Sequence, residues 1–72
     1  MRCPVCEGDA RDITPPDFDG VVLRCVNCKD YDIATGYMER LLRLDLEDRA
    51  RVLRKAKGFA GTGRPSINSM CF

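Results

Sequence analysis

Two short units in this 72-residue chain carry its chemistry: Cys3-Pro4-Val5-Cys6 and Cys25-Val26-Asn27-Cys28, with eighteen residues between them. In a Cys-x-x-Cys turn both thiols project to one side. Backbone N–H groups point at the sulfurs there and favour the charged thiolate. Two such turns facing each other make a cage of four sulfurs, the donor set of a closed metal site. One pair arises readily by chance; two, one before and one after a plausible hairpin, do not.

Thiolates are soft ligands, and Zn²⁺ asks for nothing beyond four of them, which suits two independent turns. One structural zinc ion on Cys3, Cys6, Cys25 and Cys28 is the expected cofactor. Iron also takes four thiolates, as in rubredoxin, whose knuckles share the Cys-Pro-x-Cys sequence. A rubredoxin-like core would be richer in aromatic residues than this chain, which has no Trp, two Tyr and three Phe. A redox dithiol or disulfide is the remaining alternative. Four sulfurs leave no open position for a catalytic zinc. The chain has no His, which removes His-dependent acid–base and nucleophilic chemistry. No enzyme and no small-molecule substrate are expected. The fifth cysteine, Cys71, is second from the end, whereas a prenylation signal needs Cys fourth from the end. It reads as a buried or terminal thiol without a role.

The two Cys-x-x-Cys units with short strands around them resemble the zinc-ribbon group of small zinc-binding folds, over roughly residues 1–33. The resemblance implies that the four cysteines are ligands, and it implies no particular function. Such ribbons occur in transcription factors, ribosomal proteins, primases and protein-binding adaptors. The chain departs from the pattern at Glu7, where many knuckles have Gly. Gly8 comes one position late, which is expected to distort the first turn and its N–H···S bonds.

The elements that must position the thiols follow from periodicity. Ala10–Ile13 reads as a short strand, and Pro15-Pro16-Asp17-Phe18-Asp19-Gly20 as a loop anchored by Phe18. Val21–Arg24 is β-branched and runs into the second Cys-x-x-Cys; Tyr31-Asp32-Ile33 alternates as a returning strand does. From Ala34 the period becomes helical. Tyr37, Met38, Leu41, Leu42 and Leu44 share one face, with Glu39, Arg40 and Arg43 opposite. Asp45 reads as an N-cap with Asp48 three residues on, so a break is expected near residues 44–45, unless the region is one bent rod. The second helix is expected to bury Leu46, Ala50, Leu53 and Ala56, with Val52 flanking, and to end at Gly58-Phe59. Residues 60–72 read as an extended or flexible tail. Ile67, Met70 and Phe72 are its candidates for an edge strand or for packing on the ribbon.

The fold expected is therefore α+β and one folding unit: a zinc ribbon over 1–33, an amphipathic helical segment over 34–59 packed on it, and the tail. A chain this short builds a thin core, and a metal staple would supply what the core lacks. Structural zinc contributes roughly 10–16 kcal/mol of apparent binding free energy in finger peptides, coupled to folding. No charged n-region leads into an apolar stretch, no apolar run reaches membrane length, and paired thiols suit a reducing compartment. A cytoplasmic protein without membrane contact is expected.

Charge is uneven. Residues 1–39 carry four basic and eight acidic side chains, residues 40–72 eight basic and three acidic, within a total of +1. A basic stripe formed by Arg40, Arg43, Arg51, Arg54, Lys55 and Lys57, extended by Arg64, would suit nucleic acid. The competing reading of the same residues is an ordinary solvated helix face with i,i+4 pairs such as Glu47–Arg51. Two function classes follow. One is a nucleic-acid-binding regulator using that stripe. The other is a protein-interaction adaptor, a homodimer or a small phage- or plasmid-type modulator, using apolar helix surface that a ribbon is too small to cover.

Overall fold

Val21, Val22 and Leu23 suit a pleated surface, and they occupy the middle of β2 (Gly20–Cys25), the strand around which the sheet assembles. The computed structural model describes residues Met1–Phe72. Strand β1 (Ala10–Asp12) pairs antiparallel with β2 on one side, and β3 (Lys29–Ala34) pairs antiparallel on the other. The sheet is closed by β4 (Ser66–Ile67), parallel to β3, giving a mixed four-stranded sheet in the order β1-β2-β3-β4. This is a small α+β fold.

The β2–β3 register sets which side chains meet. Val21 faces Ile33, Leu23 faces Tyr31 and Cys25 faces Lys29, so these residues share one side of the sheet. The helices cover that side. Helix α1 (Tyr37–Leu42) buries Leu41 there, and α2 (Leu46–Ala60) buries Val52, Leu53 and Ala56. Tyr31, Leu23, Ile33, Leu41 and Ile67 lose essentially all solvent contact. Fully burying a large aliphatic side chain is worth about 1.5–3 kcal/mol, so these few positions carry most of the apolar stabilisation.

Two helices form, separated at Asp45, whose side chain accepts the Asp48 N–H at 2.9 Å. Three expectations need correction. Leu46 and Ala50 are exposed while Val52 is buried, because the face turned to the sheet is centred on Val52, Leu53 and Ala56. Helix α2 runs through Gly58 to Ala60, and the residue that stops it is Gly61 at φ 63°. Gly58 therefore sits inside the last turn of the helix, and Phe59 is 64% exposed rather than tucked beneath the helix end.

The tail is ordered by Asp32. Its backbone N–H donates to Pro65 O at 2.9 Å, and its carboxylate accepts from Arg64 Nε at 2.8 Å and Ser66 Oγ at 2.5 Å. A buried carboxylate so fully partnered holds β4 in register. Ile67 is fully buried, and a single 3-10 turn, Ser69–Cys71, follows where no helical turn was expected. Met70 faces solvent, and Phe72 packs on Tyr37 of α1, with ring centroids 5.8 Å apart, instead of on the ribbon. On the outer face of the sheet Phe18 lies half-buried beneath the Arg64 guanidinium, 5.3 Å from its ring centroid.

Two glycines give opposite tests of this backbone. Gly20 has φ 127°, and a Cβ there would lie 2.4 Å from Ile33 O. Gly20→Ala is expected to destabilise by about 2 kcal/mol or more. Gly58, with open space around its Cβ position, lies in a helix. Gly58→Ala is expected to stabilise by roughly 0.5–1 kcal/mol. Denaturant midpoints moving in the same direction would contradict this assignment of roles.

Candidate metal centre

Each Cys-x-x-Cys caps the end of a hairpin. Arg2 bridges Asp9, and the Met1 amino group and carbonyl bond Ala10, so the first turn, Cys3–Cys6, is clasped at its base. The second links β2 to β3. Ala10 pairs with Cys25, which brings the two turns side by side at one end of the sheet.

The four expected thiols are brought together: the sulfurs of Cys3, Cys6, Cys25 and Cys28 all lie within 4.8 Å of one another. Cys3 and Cys28 Sγ are 4.0 Å apart, Cys6 and Cys25 Sγ 3.5 Å. Tetrahedral coordination with metal–sulfur bonds of about 2.3 Å requires sulfur–sulfur edges of about 3.8 Å. A disulfide requires about 2.05 Å, and all five cysteines are free. The donor set and its spacing fit one four-coordinate metal ion. Cys71, buried elsewhere in the core, stands outside the cluster.

The first turn is not distorted by Glu7. Glu7 itself adopts the left-handed conformation at φ 63°, and Lys29 does the same at φ 68° directly after Cys28. The two turns thus leave their second cysteine in the same way, and each tolerates a side chain where glycine is easier. Gly8 N–H then reaches Cys6 Sγ, the second sulfur of its pair, at 3.4 Å, and in the other turn Asn27 N–H reaches Cys25 Sγ, the first of its pair, at 3.4 Å. Gly8 is needed for a different reason. A Cβ there would lie 2.5 Å from Asn27 Nδ2, and that amide donates to Cys6 Sγ at 3.7 Å.

The residues that sequence reasoning missed are the ones behind the sulfurs. Tyr31, fully buried, places its hydroxyl 3.0 Å from Cys3 Sγ. Burial raises the Tyr31 pKa well above the phenol range, and the bond to Cys3 adds to it. The hydroxyl therefore keeps its proton, which is available to an ionised or metal-bound Cys3 sulfur. The available clue was strand alternation, which puts Tyr31 on the side of Leu23 and Cys25, and a buried tyrosine needs a partner for its hydroxyl. Arg49 is the second. It donates to Leu42 O at 2.8 Å, Leu44 O at 2.9 Å and Pro4 O at 3.2 Å, tying both helices to the first turn.

Burial resists charge on Cys6, Cys25 and Cys28, to different extents. At Cys6 it is outweighed by the Gly8 N–H, the Asn27 amide and the neighbouring cysteines, and the pKa falls to about 7. At Cys28 and Cys25 burial prevails and the pKa rises. In the metal-free protein the two cases have opposite linkage. The Cys6 contribution to stability is present above the ordinary thiol pKa and is lost as pH falls through about 7. The Cys25 and Cys28 contributions are full below the ordinary pKa and are lost at higher pH.

The basic residues are not part of this centre, and they are not one stripe. Arg40 lies over the rings of Phe72 and Tyr37, 4.8 and 5.4 Å from their centroids. Arg43 pairs with Glu39 at 3.0 Å and Arg51 with Asp48 at 3.2 Å. Arg54, Lys55 and Lys57 are exposed on α2 and make no ion pair.

Two measurements check the centre. Tyr31→Phe is expected to weaken zinc binding by about tenfold in competition with a chromophoric chelator while the protein still folds; an unchanged affinity would remove the hydroxyl from the site. In metal-free protein at pH 7.5, iodoacetamide is expected to modify Cys6 ahead of Cys25, Cys28 and Cys71, read by peptide mass mapping, and zinc is expected to suppress the reaction.

Compared with known protein families, with curated proteins and with solved structures, the chain matches none. Its chemistry has to be read from its own residues.

Proposed function

We propose that Cys3, Cys6, Cys25 and Cys28 hold one structural zinc ion in a zinc-ribbon-like site. We read the protein as a non-enzymatic, cytoplasmic regulator that binds nucleic acid. Supporting the zinc assignment are four thiolates at tetrahedral spacing with three backing donors, Gly8, Asn27 and Tyr31. Supporting the partner is one observation: the solvent face of α2 carries Arg54, Lys55 and Lys57, none of them in an ion pair. Arg51 adds charge at the edge of that face, although Asp48 engages it. Arg40 and Arg43 are engaged by aromatic rings and by Glu39, and contribute less. Cations on one helix face are suited to a phosphate backbone, where affinity comes from counterion release rather than base reading.

The test is fluorescence anisotropy of the zinc-loaded protein with a labelled duplex between 50 and 200 mM salt. Three phosphate contacts predict a slope of log affinity against log salt of about −3. Arg54→Glu with Lys55→Glu is expected to lower affinity at least tenfold without altering the fold. Equal binding by that variant would end the reading.

A second reading has its own observation. Leu42 and Leu46, both expected in the core, are 49% and 46% exposed at the junction of the helices. Beside them Met1, Met38 and Pro4 line a hollow of about 340 Å³. Such a surface suits a protein partner or a second copy of the chain, as an interaction adaptor or a small phage- or plasmid-type modulator would require. Sedimentation over a wide concentration range tests it: self-association abolished by Leu42→Asp supports the dimer, and a monomer throughout excludes it.

A further inference from the structure

Three cations from three separate elements converge on one shallow hollow of about 470 Å³ beside the second Cys-x-x-Cys: Lys29 at the start of β3, Lys57 from the last turns of α2, and Arg64 ahead of β4. The hollow contains one acid, Asp30, and its carboxylate is already held by Arg24 through two bonds of 2.9 and 3.2 Å. Lys29 and Lys57 make no ion pair. Like charges gathered in this way are unfavourable unless an anion joins them.

Arg64 is the anchor. Its Nε is committed to Asp32 at 2.8 Å, and its guanidinium lies over Phe18, which fixes the plane. Its two terminal nitrogens make no hydrogen bond within the protein, so up to four N–H donors remain at a set orientation. An arginine held in this manner is preorganised for a tetrahedral oxyanion, with lysines as flexible point charges around it. Thr62 contributes a hydroxyl to the same hollow.

We propose that Lys29, Lys57 and Arg64 form a seat for a single phosphate group. The identification of its owner as a nucleic-acid backbone rests on the function proposed above. The seat extends the contact from the face of α2, through Lys57, around to the edge of the metal centre.

The same cations have a competing use. Four thiolates and one divalent ion leave a formal charge of −2, and Cys28 borders the hollow. The sulfurs, however, take their hydrogen bonds from Gly8, Asn27 and Tyr31, and from no lysine.

The experiment uses the zinc-loaded 72-residue chain and its Lys29→Gln, Lys57→Gln double variant; Arg64 is left intact because it holds β4. Inorganic phosphate is titrated while amide shifts are followed by NMR, and duplex affinity is measured against salt. The seat predicts saturable shifts at Lys29, Thr62, Gly63 and Arg64 that vanish in the double variant. It also predicts duplex binding weakened at least fivefold and a salt slope reduced in magnitude by about 2. Duplex binding by both proteins alike, without phosphate shifts, would overturn the seat and leave the helix-face reading standing. Saturable phosphate shifts lost in the double variant, with no duplex binding by the wild type, would establish the seat and overturn the nucleic-acid reading. Zinc affinity falling more than tenfold in the double variant, with no phosphate shifts in the wild type, would assign the lysines to the thiolate cluster and overturn the seat.

Discussion

Four thiolates cannot sit within 4.8 Å of one another unless something positive stands between them. At 4 Å and an effective dielectric constant of 20, each pair of like charges repels by about 4 kcal/mol. Protonation of the sulfurs or a cation at the centre removes that cost, and only the cation turns it into attraction. The fold is arranged around that alternative. Gly8, Asn27 and Tyr31 all direct donors at sulfur, which favours the ionised state a metal requires. Leu23, Cys25 and Tyr31 run directly from the cluster into the core, so the energetic state of the sulfurs bears on how firmly this end of the sheet is held.

The cysteine cluster was readable from sequence because it depends on covalent spacing: two residues between the cysteines of each pair let both sulfurs reach one centre across a tight turn. The strands and the break at Asp45 were readable for similar local reasons, β-branching and a capping side chain. What was hidden depends on tertiary rotation. Whether Leu46 or Val52 faces the sheet turns on how far α2 rolls about its axis, and neighbouring periodic positions differ by too little to decide it. Gly58 and Gly61 both offered a stop for the helix. The choice fell to Gly61, where the chain must turn back toward Asp32 to place Ser66 beside β3.

The tail shows the same division. Its composition, rich in glycine and polar residues, matches that of flexible chain ends. Long-range contacts override this, foremost those of the buried Asp32, whose carboxylate has two side-chain partners in the segment 64–66. Nothing within the tail announces that partnership, and nothing around Asp32 does so from its side of the sequence. The basic residues were harder still. Eight cations in the C-terminal half looked alike as letters, yet one clamps carbonyls, one lies over two aromatic rings, two pair with exposed acids, one both covers a ring and pairs with a buried acid, and three stay free.

The parallel alignment of β4 beside β3 has a consequence for biosynthesis. Strands β1 to β3 are neighbours in sequence and can pair as soon as they leave the ribosome, whereas Ser66 meets Asp32 only after 34 further residues have been made. The cysteine turns are complete by residue 28, so ion capture can precede the emergence of both helices. During that interval the edge of β3 that β4 later covers stands open, with Ile33 facing water. The nascent polypeptide is therefore most exposed to mispairing and to chaperone attention after β3 has formed and before Ser66 and Ile67 arrive to cover its edge.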